Sequence, residues 1–291
     1  MNDSLAWTPA ADDVQWSVKV VDPDSGAVLV ERDASRLLRS ASLGKIFALR
    51  GAADELTRNP DTARLRLPKP VDHAVADSGL WQHLAQADLG VEDVATLVAS
   101  CSDNLAANAL ISWLGLDSVR SLAAAWAPGG STLYDYFRDE RDERDESLPE
   151  TVSRGCADDY AAIMTDLSLS SVPSLRVMRT WLRRSVDFSM VGAATYLDPL
   201  SNTGASDVRF MNKTGCDDGV RADVGVVGLG EHRIAYAAIA NWGPGAEPGR
   251  TETVVEDLRR LGSRIRERLG RTAPSPAPAP RRSTDAGRPG R

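Results

Sequence analysis

What this 291-residue chain has little of narrows it first. It holds three histidines, His73, His83 and His232, scattered along its length, and three cysteines, Cys101, Cys156 and Cys216. Neither set shows metal-ligand spacing, so no metal is expected, and no cofactor is implied. Three thiols make no disulfide framework, and reduced thiols are the default in a cytoplasmic protein. Basic charge is in deficit: 34 Lys+Arg against 41 Asp+Glu leave a formal net charge of −7, which argues against a nucleic-acid partner. No apolar run approaches the about 20 residues of a membrane span. The first stretch, "MNDSLAWTPAADDVQW", has no basic start and no apolar core, so it does not read as a signal peptide. A cytoplasmic location without membrane contact is the expectation, and a monomer is expected.

With 42% hydrophobic residues the chain can fill one large core or two intimate lobes. "VQWSVKVVD" (14–22) is rich in β-branched residues, "PDSG" is turn chemistry, and "AVLVER" (27–32) continues as a second strand. A helix follows from about 42 to 56. The middle, about 91–190, carries helical spacing in "VEDVATLVASC", "NLAANALISWLG", "CADDYAAIMTDLSL" and "SLRVMRTWLRRS". "RFMNKTG", "RADVGVVGL" and "RIAYAAIANW" (209–242) read as a meander of three antiparallel strands, and "TETVVEDLRRLGSRIRERLG" (251–270) as an amphipathic closing helix. Residues 271–291 are rich in Pro, Arg and Ala without periodicity and read as a disordered tail.

Strands grouped apart from helices imply an α+β fold: an antiparallel sheet, built from both ends of the chain and flanked by helices, plus a mainly helical lobe. The expected division is one domain over 1–270, with a sheet lobe at about 14–60 and 200–270 and a helical lobe at about 61–199. The cleft between lobes is the natural ligand site.

Three short motifs fall on that cleft. In "SASLGKIFAL", Ser42 precedes Lys45 by three residues, a spacing that puts both on one helix face and lets the lysine amine take the serine proton. Ser102-Asp103-Asn104 sits at a junction of two helices, where its plain reading is a helix N-cap. Lys213-Thr214-Gly215 lies on a strand before a turn, where its plain reading is an edge-strand lysine. Together and in this order, S-x-x-K, S-D-N and K-T-G are the signature set of class A β-lactamases and penicillin-binding proteins. The chain resembles the class A β-lactamase family over roughly residues 14–270.

The resemblance implies the β-lactamase/transpeptidase-like fold and a serine hydrolase working through an acyl-enzyme. Ser42 would be the nucleophile and Lys45 its base. Ser102 would relay a proton to the leaving amine, and Lys213 would hold a substrate carboxylate with help from Thr214 and Gly215. Asn104 would bind a substrate amide, and the backbone N–H groups of Ser42 and Cys216 would form the oxyanion hole. Arg221 would supplement the cation or stay a surface strand residue, and Trp81 would line the rim of the cleft or pack. Cys101 and Cys216 flank two motifs, as a thiol pair or disulfide, or as small buried hydrophobes.

One part of the family pattern is missing. Its members deacylate with a loop glutamate that activates water, usually followed by an Asp-Glu-Arg-Asp run before a proline. Here "STLYDYFRDERDERDESLPE" (131–150) keeps the run but lacks the Glu-x-x-Leu-Asn segment upstream. Glu140 and Glu143 stand as candidates for a displaced base, against the plainer reading of a solvated charged loop. Hydrolysis of β-lactams is therefore set against two alternatives: an intracellular biosynthetic amidase, esterase or transacylase, and a non-hydrolytic penicillin-binding-type ligand binder.

Overall fold

The computed structural model describes residues 5–10, 13–139, 147–201, 207–243 and 246–272. Strands β1 (Gln15–Val21) and β2 (Val28–Arg32) form the expected hairpin. Three strands of two or three residues follow: β3 (Leu38–Arg39), paired with a strand much later in the chain, and β4 (Arg66–Pro68) and β5 (Asp88–Gly90), paired with each other. Helix α1 (Lys45–Arg58) starts at the lysine of the first motif, after a 3-10 turn at Ala41–Gly44. Helices α2 (Val91–Cys101), α3 (Asn104–Leu114) and α4 (Leu116–Trp126) come next. Strands β6 (Thr132–Leu133) and β7 (Ser153–Gly155) precede α5 (Ala157–Leu169) and α6 (Pro173–Leu182). The meander is β8 (Val208–Asp217), β9 (Val220–Leu229) and β10 (His232–Asn241), and α7 (Arg250–Thr272) closes the chain. The helix thus takes in Arg271 and Thr272, the first two residues assigned to the tail, and 273–291 lie outside the described residues.

Both chain ends meet in one sheet of order β2-β1-β10-β9-β8, antiparallel throughout, with β8 as an edge. The period-2 side-chain alternation sorts each strand onto two faces. One face holds Trp16, Val18, Tyr236 and Ala238 against α7, whose Val254, Leu258, Leu261, Ile265 and Leu269 recur at helical spacing. The other holds Met211, Val224, Ala237 and Ile239 in a larger core shared with α1, α2, α3, α5 and α6. Among the described residues no helix is long and apolar enough to cross a membrane.

A buried carboxylate ties the α7 face together. Asp223 on β9 accepts hydrogen bonds from Asn212 Nδ2 (3.1 Å), Tyr236 Oη (2.9 Å) and Val191 N (3.0 Å). Burial pushes its carboxyl up to about 7, against those hydrogen bonds. The folded-state value lies above the about 3.9 of a free aspartate, so the folded chain holds this proton more tightly than the unfolded one. The stability this gives is complete below pH about 4 and is lost as pH rises from there through about 7. Urea unfolding at pH 5 and pH 8 is expected to show that loss in the wild type and a flattened difference in Asp223→Asn. An unchanged difference would contradict the assignment.

Candidate active site

The first motif is built on a strained turn. Ala41, next to Ser42, has φ +48°, a left-handed value that costs a residue with a Cβ roughly 1 kcal/mol or more. Strand β7 holds it there. Ser153 Oγ donates to Ala41 O at 2.6 Å, so its single proton is spent and Ser40 Oγ must donate to Ser153 Oγ at 2.8 Å. Ser40 N–H adds a bond to Ser153 O at 3.1 Å. On the other side β8 presses against the same turn, because Gly215 leaves it room: a Cβ there would sit 2.5 Å from Ser40 O. The glycine of the third motif therefore sets the gap between the Ser42 turn and the β8 edge.

Lys45 is fully buried beneath this gap. Its Nζ lies 3.0 Å from Ser42 Oγ, 3.2 Å from Ser102 Oγ, 2.6 Å from Ser102 O and 2.5 Å from Asn104 Oδ1. The Phe137 ring stands 4.2 Å away, centroid to Nζ. Burial, and next the charge of Lys213, drive the Lys45 amine well below the ordinary lysine value, with Asp103 and Asp77 pulling the other way. Lys213, buried as well, donates to Ser102 Oγ at 2.8 Å and to Thr214 O at 2.7 Å. Burial lowers it to about 8, opposed by Asp187, Cys216 and Asp223. Ser102 thus stands between two lysines.

The helix N-cap read for the second motif is there and falls on Asp103, which caps α3 by accepting from Ala106 N at 2.8 Å, while Ser102 takes a left-handed conformation, φ 58°, at the end of α2. The other Asp103 oxygen accepts from Leu80 N (2.7 Å) and Trp81 N (2.8 Å). That carboxylate pins the 78–84 segment onto α3 and turns Trp81 inward. Trp81 is fully buried, its indole N–H given to Gln86 O at 3.1 Å, so the rim position expected for it is corrected.

The cleft above these groups has a volume of about 1050 Å³. Ser42, Ser102, Asn104, Lys213, Thr214 and Cys216 line it. Arg221 does not: it spends Nη1 on Asp217 O (2.9 Å) and Val220 O (2.7 Å), so the reading as a strand arginine replaces that of a second cation in the site. Asn104 reaches the cleft with its side chain already engaged, Oδ1 by Lys45 and Nδ2 by Asp77 Oδ2 at 3.1 Å. All three cysteines are free thiols. Cys101 is half-buried and Cys216 exposed, both on the cleft, so for this pair the disulfide and the buried-hydrophobe readings both give way.

Glu140 and Glu143 lie outside the described residues. Among the described residues no carboxylate is hydrogen-bonded to Ser42 or Lys45. Two acids that sequence reasoning missed line the cleft close to the lysines. Asp77 holds Asn104, and Asp187 lies by Thr214 and Lys213. Burial would raise Asp187, but bonds from Ser189 and Thr214 and the charge of Lys213 outweigh it and hold the carboxyl below its ordinary value. Both sit in loops, and the site residues they approach, Asn104 for Asp77 and Thr214 for Asp187, lie far along the chain, which leaves no local signal.

An edge strand bearing Lys-Thr-Gly, a serine–lysine turn packed under it and a helical block across the cleft make the β-lactamase/transpeptidase-like architecture. A family model described as "Beta-lactamase enzyme family" matches residues 3–268, and the chain belongs to that family. Among solved structures, a β-lactamase from Sphaerobacter thermophilus DSM 20745 superposes with TM-score 0.75 and 23% identity, over 91% of this chain and 95% of that one. A PBP-A mutant, solved as an acyl-enzyme complex with penicillin G, gives 0.71 and 20% over 89% and 92%. A class A β-lactamase from Mycobacterium abscessus gives 0.68 and 17% over 85% and 92%. No curated protein sequence matches the chain.

Proposed function

We propose that this chain is a serine acyl-transfer hydrolase, acylated at Ser42 by an amide or ester that carries a carboxylate, β-lactams included. The observation that carries the reading is the fully buried Lys45 amine, 3.0 Å from Ser42 Oγ and depressed by burial and by Lys213. As a neutral amine Lys45 has two hydrogens and one lone pair. Its two shortest contacts, to Ser102 O and Asn104 Oδ1, are with oxygens that only accept, so they use both hydrogens. The lone pair is left for the Ser42 proton. Ser42 Oγ then attacks the substrate carbonyl carbon, and Lys45 carries the proton as an ammonium. The negative oxygen so formed would be held by the N–H groups of Ser42 and Cys216. When the C–N or C–O bond breaks, Ser102 gives its proton to the leaving atom and recovers one from Lys45, 3.2 Å away. Lys213 and Thr214 would hold the carboxylate.

The acyl-enzyme is expected to be long-lived, because the sequence lacks the Glu-x-x-Leu-Asn segment whose glutamate activates water in the family. This favours behaviour of the penicillin-binding type over rapid hydrolysis. A PBP-A mutant, similar in fold, was solved as an acyl-enzyme complex with penicillin G.

The test is the pH dependence of acylation by a chromogenic cephalosporin. The rate should fall on the acid side as Lys45 takes a proton. It should fall on the alkaline side beyond pH about 8 as Lys213 loses its charge, the two lysines titrating as a coupled pair. The alkaline fall should show as weaker substrate binding. A rate that climbs steadily to pH 10, or that persists in Ser42→Ala, would contradict the reading.

A further inference from the structure

A second cavity, of about 710 Å³, opens on the first half of β8, at Arg209 to Met211, two to four residues before Lys213. The end of α6, the first residues of β8 and the β9–β10 turn wall it. Arg179, Arg183, Arg209 and Arg233 line it, against two acids, Asp24 and Glu231. Four guanidiniums in one cavity are notable in a chain whose net charge is −7.

Among the described residues, Arg179 and Arg209 are oriented by main-chain carbonyls and Arg233 by a carbonyl and one acid. Arg179 Nη1 donates to the carbonyls of Leu167 (2.8 Å) and Ser168 (3.3 Å), and Arg233 Nη1 to Ser168 O (2.9 Å). Arg209 Nη2 donates to Gly230 O. Carbonyls fix a guanidinium in place but carry no net charge to offset it. Arg233 has one ion pair, Nε to Asp24 Oδ2 at 3.1 Å. The cations press on one another: burial, then Arg183, Arg176 and Arg233, lower Arg179, and burial, then Arg209, lower Arg183. Holding them together costs free energy that a bound anion would return.

We propose that this cavity binds a small organic phosphate carrying at least two negative charges. Guanidiniums bind oxyanions in bidentate fashion. Here they come from three separate elements around the cavity, which suits the radiating oxygens of tetrahedral phosphate better than the two in-plane oxygens of one carboxylate. The volume falls within the range of small-molecule sites. Phe210, Met211 and Val226 border the cavity with their side chains almost wholly buried. The site is separate from Ser42, so it stands or falls independently of the reaction proposed there.

Inorganic pyrophosphate is the probe. Calorimetric titration of the full chain, at constant ionic strength, should give saturable binding of one equivalent. Binding should weaken by roughly tenfold or more in Arg183→Gln/Arg209→Gln, while the acylation rate at Ser42 stays at the wild-type value. Should the double variant fail to fold, Arg209→Gln and Arg209→Lys provide the comparison, with the lysine variant expected to bind more tightly than the glutamine one. No saturable binding to the wild type, the same heat from sodium sulfate at equal ionic strength, or unchanged affinity in the glutamine variants would overturn the proposal.

Discussion

Lys45→Met is expected to slow acylation of Ser42 by about 10³-fold, the middle of the range for a positioned general base. Methionine keeps the length and apolar stem of the lysine, so the packing against Phe137 survives. It removes the only amine within hydrogen-bond distance of Ser42 Oγ among the described residues. On stability two effects oppose. Ser102 O and Asn104 Oδ1 each lose a donor, at about 1–3 kcal/mol apiece. Against that, a buried amine facing Lys213 disappears. The fold should persist, so the loss is to be read in the rate constant of acylation by a penicillin, with melting measured alongside. A fall of less than tenfold would mean that Lys45 only fills space and that another group takes the Ser42 proton.

Gly215→Ala should cut acylation by about 10²-fold without touching any side chain of the machinery. The added Cβ would lie 2.5 Å from Ser40 O and 3.4 Å from Leu43 N, both main-chain atoms that no rotamer change can move. The β8 edge and the Ser42 turn must part by some tenths of an ångström or more. That gap carries the N–H groups of Ser42 and Cys216 proposed for the oxyanion and the approach of Lys213 to Ser102, 2.8 Å in the intact site. Misplacements on the order of 1 Å cost about 10² in rate, and forcing atoms into a packed contact costs about 1–3 kcal/mol. Gly243→Ala is the control, since a Cβ there meets nothing within 4 Å. Equal acylation by both variants would show that the gap is not under tight constraint.

The sheet was legible in the sequence because its signals are local. β1, β2 and the meander are runs of β-branched and small apolar residues broken by Gly-containing turns, and α7 repeats its apolar residues at helical spacing. The motif residues were legible for the same reason, as short fixed spacings, and the fold brings Ser42, Lys45, Ser102, Asn104 and Lys213 within hydrogen-bond distance in one chain of contacts. What the sequence hid is what acts at long range. β3, β6 and β7 are two or three residues long, too short for any period, yet β7 supplies the serine that holds Ala41 in place. The rim position for Trp81 came from the family resemblance alone, and the residue is drawn inward by Asp103, 22 residues on. Arg221 points along its own turn because the carbonyls of Val220 and Asp217, one and four residues back, take its guanidinium. Asp77 and Asp187 join the site only once the chain has folded around them.

The most direct test of the account is intact-protein mass spectrometry over time after mixing with a penicillin, with Ser42→Ala alongside. The account predicts a mass increase equal to the whole penicillin on the wild type, persisting for many minutes, and none on Ser42→Ala. A wild type that stays unmodified and leaves the penicillin intact, or an adduct that survives the loss of Ser42, would contradict it.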